Sequence, residues 1–160
     1  MKLLILIDVS VTEMACVKVL GGKLEEVENR KRILIVDDDQ DILDVLVMLM
    51  EMEGFSAIGI LDASKFYKTL SGFNPDLVML DIMLGHVDGR DLCRMVKSNV
   101  LTEKLPVIMV SAGHRETTAN QHYHPDGFIQ KPFDIQLVVN TINKNLITSE
   151  YDSLLPNFKN

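Results

Sequence analysis

Five side chains stand where short apolar runs end, and their types suit one kind of chemistry. Asp37 and Asp38 follow Ile33-Leu34-Ile35-Val36, Asp81 follows Leu77-Val78-Met79-Leu80, and Ser111 follows Val107-Ile108-Met109-Val110. Lys131 comes two residues after Phe128-Ile129. Three carboxylates brought together repel one another, so a hard divalent cation is their natural partner. Mg2+ takes oxygen ligands and keeps several waters, and one or two carboxylates suffice to hold it. A carboxylate left partly free can attack a phosphoryl group to give an acyl phosphate. The cation and the Lys131 ammonium would neutralise charge on that group, and the Ser111 hydroxyl could hydrogen-bond one of its oxygens. Taken singly these signals are weak: aspartate after a strand commonly caps a helix, and Lys-Pro is commonly a turn. The set, in this order, carries the argument.

The elements that must position these residues alternate regularly from Arg32 onward. Ile33 to Val36 has the continuous apolar pattern of a strand buried on both faces. Asp39 stands as an N-cap, a helix follows with Ile42, Val45, Leu46 and Leu49 on one face, and Gly54 ends it. Phe55 to Ile60 reads as a second strand and Ala63 to Leu70 as a short helix. Asn74-Pro75 breaks the chain before the strand Leu77 to Leu80. Asp88 to Ser98 is expected to be a helix with Leu92, Met95 and Val96 inward. Pro106 opens the strand Val107 to Val110, Phe128-Ile129 marks a fifth, and a last helix runs from Asp134 to Leu146 with Leu137, Val138, Thr141, Ile142 and Leu146 on one side. Between Val110 and Phe128 the apolar stripe nearly vanishes, and only Ala112, Ala119 and Tyr123 could face a core. The segment 113–127 is therefore expected to be a weak, frayed fourth helix or a loop. Five strands alternating with helices imply an α/β fold, a parallel sheet covered on both faces through right-handed crossovers. Ligands then bind outside the carboxyl ends of the strands, where the five residues would meet.

Composition narrows the class. A chain of 160 residues is one domain's worth, and 16 basic against 23 acidic residues leave a formal charge of −7. That argues against direct nucleic-acid binding, which needs a basic surface to displace counterions. Cys16 and Cys93 make neither a disulfide framework nor a zinc site and read as reduced thiols. The apolar run Leu3 to Ile7 is cut by Asp8, far short of the roughly 20 residues a membrane span requires. A soluble, cytoplasmic protein is expected. Residues 1–31 balance five basic side chains against five acidic ones, so the charge deficit lies in 32–160. Leu3 to Ile7 and Met14 to Leu20 could pair as strands with Gly21-Gly22 as a turn, but a poorly ordered extension is the preferred reading. The organisation expected is an extension over 1–31, a domain over 32–147 and a tail over 148–160.

Quoted together, Ile33-Leu34-Ile35-Val36-Asp37-Asp38-Asp39, Asp76-Leu77-Val78-Met79-Leu80-Asp81-Ile82-Met83-Leu84, Asp88-Gly89, Val110-Ser111-Ala112 and Lys131-Pro132-Phe133 resemble the receiver domain of two-component response regulators. The resemblance covers about residues 32–147, and the flavodoxin-like strand order 2-1-3-4-5 comes with it. It implies that Asp81 is phosphorylated by a histidine kinase or a histidine phosphotransfer protein. Asp38, Asp81 and the backbone carbonyl of Met83 would ligate Mg2+, with Asp37 acting mainly through water. Ser111 would be the switch hydroxyl, Phe128 the switch aromatic, Lys131 would contact the phosphoryl oxygens, and the Lys131-Pro132 bond would be cis. Phosphorylation would switch contacts with a downstream protein, since too little chain follows Leu146 for an output domain. Where the family usually carries proline after the aspartate loop, this chain has Gly85 and His86. Met83 and Gly113, each two positions beyond a site residue, offer no polar side chain to orient a water, so slow self-dephosphorylation is expected.

Other readings are weaker. Asp37, Asp39 and Asp41 alternate like a calcium loop, but Ile42 and Met48 stand where glycine and glutamate would be needed. A haloacid-type phosphatase would want an apolar residue or threonine where Asp41 stands. His114, His122 and His124 lack the spacing of a metal site. The alternative from another class is a receiver-shaped interaction module that is not phosphorylated in use.

Overall fold

The structure is a computed structural model that describes residues 4–6, 16–20, 23–27, 30–113 and 123–154. It divides into two units, Met1–Lys31 and Arg32–Asn160. In the first, β1 (Leu4–Leu6), β2 (Cys16–Leu20) and β3 (Lys23–Val27) form an antiparallel sheet in that order. The two apolar runs read from the sequence each contain a strand, paired with Ile5 opposite Val17. The third strand, which pairs Lys18 with Glu25, carries no clear apolar run of its own. Gly21 and Gly22 lie outside the described residues.

The second unit follows the expected alternation. Its elements are β4 (Arg32–Val36), α1 (Gln40–Met52), β5 (Ser56–Ile60), a 3-10 turn (Ala63–Lys65), α2 (Phe66–Phe73) and β6 (Leu77–Asp81). A small hairpin of β7 (Met83–Leu84) and β8 (Val87–Asp88) comes next, then α3 (Gly89–Ser98), β9 (Val107–Ser111), β10 (Gly127–Gln130) and α4 (Ile135–Leu154). The sheet order is β10-β9-β6-β4-β5, with every pairing parallel. Counting only these five strands, that is 2-1-3-4-5. Among the described residues no helix is long and apolar enough to cross a membrane.

Alternation along each strand builds two cores. Ile33 and Ile35 face a layer that includes Leu46, Met50, Val138 and Ile142 from α1 and α4. Leu34 and Val36 face Phe66, Leu92, Cys93 and Val96 from α2 and α3. Each such side chain contributes roughly 1.5–3 kcal/mol on burial. The helix faces differ in detail from the periodic reading. In α1 the buried positions are Leu43, Leu46, Leu49 and Met50, whereas Val45 is exposed. In α3 Cys93 is buried and Met95 exposed; in α4 Val139 is buried and Leu137 exposed. The last helix also continues past Leu146 to Leu154. The expected weak fourth helix falls largely on 114–122, outside the described residues.

Caps and edges fix where elements stop. The Asp39 carboxylate accepts from the N–H groups of Asp41 and Ile42 at the start of α1, and Asp134 does the same for Gln136 and Leu137 of α4. On the edge strand β5, the Glu51 carboxylate accepts the Ala57 N–H at 2.8 Å. Lys97 reaches from α3 to Asp126 at 2.6 Å and to the Leu105 carbonyl at 2.8 Å, tying the loop before β9 to the chain entering β10.

Gly89 is the tightest joint. Its N–H donates to the Ile82 carbonyl at 2.8 Å, and a Cβ there would lie 1.9 Å from the Asp81 carbonyl oxygen. Only hydrogen fits, and α3 starts directly against the backbone that presents Asp81. Gly89→Ala is expected to lower the unfolding free energy by about 2–3 kcal/mol in urea denaturation.

Candidate functional site

Strand register brings the expected residues to one sheet edge. Val36 pairs with Leu80, Asp81 with Val110, and Ser111 with Gln130. Asp37 therefore emerges beside Asp81, and Lys131 leaves β10 next to Ser111, whose carbonyl accepts the Lys131 N–H at 2.7 Å. The Lys131-Pro132 bond is cis, as the resemblance implied.

The Lys131 ammonium donates to Asp37 Oδ2 at 2.7 Å and to Asp81 Oδ2 at 2.5 Å. These two aspartates, 2% and 6% exposed, are the buried charged residues among those described. Further donors orient them: the Asp39 N–H reaches Asp37 Oδ1 at 3.0 Å, and the Met83 N–H reaches Asp81 Oδ1 at 3.2 Å. Asp38 is exposed, and its Oδ2 accepts the Gly85 N–H at 3.0 Å. One carboxylate oxygen from each of Asp37, Asp38 and Asp81 lies within 4.8 Å of the others. Three carboxylates answered by one ammonium leave a net negative pocket of hard oxygen donors, which suits a hard divalent cation such as Mg2+.

The electrostatics match this crowding. Burial pushes the Asp37 carboxyl above its ordinary value of 3.8, even though Lys131 and the Asp39 N–H pull the other way. Burial pulls on Lys131 in the opposite sense, but its hydrogen bonds to Asp37 and Asp81 and their charges outweigh it and hold it above 10.5.

The remaining predicted residues sit nearby. Ser111 is half-buried at the end of β9, its Oγ accepting the Gly113 N–H at 3.1 Å. Met83 lies on β7 with its side chain 71% exposed. Phe128, half-buried on β10, packs edge-to-face against Tyr123 with ring centroids 6.4 Å apart. The Cys93 thiol donates to the Tyr123 carbonyl at 3.1 Å and is pushed up to about 12 by burial, as expected of an inert core thiol. His124 is exposed, while His114 and His122 lie outside the described residues. Sequence reasoning missed the contacts made by Gly85 and Gly89. The only signal for them was the glycines themselves, placed in the loop after Asp81.

The sign of the pH dependence follows. A raised Asp37 makes its ionisation work against the fold, so the associated stability is full below pH 3.8 and lost as pH rises through the folded value. The Lys131 contribution is full below pH 10.5 and lost above it, as pH passes its raised folded value. Lys131→Met should therefore cost about 3–5 kcal/mol at pH 7, with the deficit shrinking as Asp37 protonates in acid. Asp37→Asn should instead stabilise the chain at pH 7. Urea denaturation across pH checks both.

Comparison with known proteins agrees with this geometry. The profile of the response regulator receiver domain matches residues 33–143. The DNA-binding dual master transcriptional regulator RpaA of Synechocystis is 35% identical over 66% of this chain and 44% of its own. The CheY-like receiver domain protein of Methanospirillum hungatei superposes with a TM-score of 0.68 at 25% identity, covering 78% of this chain and 99% of that one. NtrX of Brucella abortus gives 0.73 at 29% identity over 82% of this chain and 30% of its own. The chain spans about half or less of the length of the curated relatives it matches. With the match covering most of its length, the chain belongs to the response regulator receiver domain family.

Proposed function

We propose that the chain is the phosphoacceptor receiver of a two-component relay, taking a phosphoryl group on Asp81 from a phosphohistidine of a kinase or phosphotransfer protein. The observation that carries this reading is the single lysine bridging two buried aspartates, with a third carboxylate within reach. A structural ion pair needs one carboxylate. The second is a nucleophile whose lysine partner can pass to an incoming phosphoryl group.

In this reading an Asp81 carboxylate oxygen attacks phosphorus, the P–N bond to the imidazole breaks as a P–O bond forms, and the neutral imidazole leaves once protonated by solvent. Lys131 exchanges its bond to Asp81 Oδ2 for one to a phosphoryl oxygen. Ser111 turns its hydroxyl toward another, releasing the Gly113 N–H. Asp38, Asp81 and the Met83 carbonyl would hold Mg2+, with Asp37 assisting mainly through water, and the cation would supply charge neutralisation to the transferring group. Phe128 follows the movement of Ser111 and alters the surface presented to a downstream protein. The domain acts through protein contacts, with residues 1–31 as an appended extension and α4 carrying the domain on to Leu154.

Intact mass after incubation with acetyl phosphate and Mg2+ tests the chemistry. One phosphoryl group should be added to the native chain and none to Asp81→Asn or to a Mg2+-free control. No addition, together with no binding of beryllofluoride, would favour the interaction module that is not phosphorylated.

The exposed Met83 side chain and Gly113 supply no group to align a water on phosphorus. Phosphate loss from the isolated protein should outlast seconds, and Met83→Asn should shorten the lifetime roughly ten-fold, within the range of one positioned polar group. A time course of phosphorylated mass reads both.

A further inference from the structure

We propose that Gly85 is a positioning residue for Asp38, its backbone N–H holding the carboxylate in place to receive Mg2+. The inference rests on the proposed Mg2+ reading of the pocket and concerns how this chain prepares it.

The three carboxylates are not equally restrained. Asp37 and Asp81 are buried, and each is held by Lys131 and by one backbone N–H. Asp38 is exposed and stands within reach of two like charges, so repulsion and hydration both favour its turning outward into water. Opposing this is the Gly85 N–H at 3.0 Å, donated from 47 residues away in sequence. It holds Oδ2 and leaves the other oxygen's lone pairs free.

The tether depends on backbone conformation, not on space. Gly85 has φ +62°, and a Cβ added to it would meet nothing within 4 Å. The β7–β8 hairpin, paired as Met83 with Asp88 and Leu84 with Val87, holds the turn in which Gly85 sits. Proline fixes φ near −65° and has no N–H, so it fails on both counts. Asparagine tolerates positive φ and keeps the donor. Hydrogen bonds that support a ligating carboxylate are typically worth 10–100-fold in metal affinity.

The test titrates Mg2+ alone, without a phosphodonor, into the full chain by calorimetry, comparing native protein with Gly85→Asn and Gly85→Pro. Thermal unfolding without Mg2+ shows whether each variant is folded. Gly85→Asn should bind within about three-fold of native, and Gly85→Pro about ten-fold more weakly. Native-like affinity in Gly85→Pro would overturn the proposal, as would equal weakening in both variants, which would point to loop shape and not to the N–H. The Gly85 amide resonance gives a readout independent of the proline variant. It should move upfield in Asp38→Ala, and no movement would overturn the tether. A native chain that takes up no Mg2+ would overturn the pocket reading and this inference together, whereas failure in the variants alone would leave the pocket reading standing.

Discussion

One ammonium between two buried carboxylates governs this structure. Removing Asp37 and Asp81 from water is costly, and Lys131 offsets that cost only because four strands end at the same level. A slip in any one pairing would separate the charges or strand one of them in the apolar layer. Register and crossover order are thus both tied to one electrostatic requirement. The apolar strands supply the low dielectric that strengthens the attraction and makes its loss expensive.

That requirement explains how much was legible in the sequence. The strands are short apolar runs flanked by polar residues, and the chemistry sits directly after them, so order and site could be read from pattern. The helix faces could not be read as well. α1 is apolar nearly all round, with Ile42, Leu43, Val45, Leu46, Val47, Met48, Leu49 and Met50 in one stretch. Periodicity there does not select a stripe, and packing against β4 and β5 turned Leu43 and Met50 inward in place of Val45. In α3 the small Cys93 fits against Tyr123 and leaves the longer Met95 outside.

Other features were invisible for a different reason. The Gly85 N–H on Asp38, the Asp81 carbonyl packed on Gly89 and the Lys97 link to Asp126 each join residues distant in sequence or depend on backbone direction. No residue pattern encodes such contacts locally. They appear once the loops are folded over the strand ends, and two of the three lie in the loop that follows Asp81. The receiver architecture thus keeps its chemistry in readable positions and its adjustment in unreadable ones.

The carboxylate of Glu51 on the outer side of β5 has a consequence for solubility. An edge strand with free donors is a template for another chain, and one made largely of Ala, Ile and Gly, as β5 is, invites cross-β growth. Here the Ala57 donor is already taken, and an incoming strand would have to displace the Glu51 side chain to reach it. A donor already satisfied by a side chain at this edge opposes pairing of one molecule's sheet with the next.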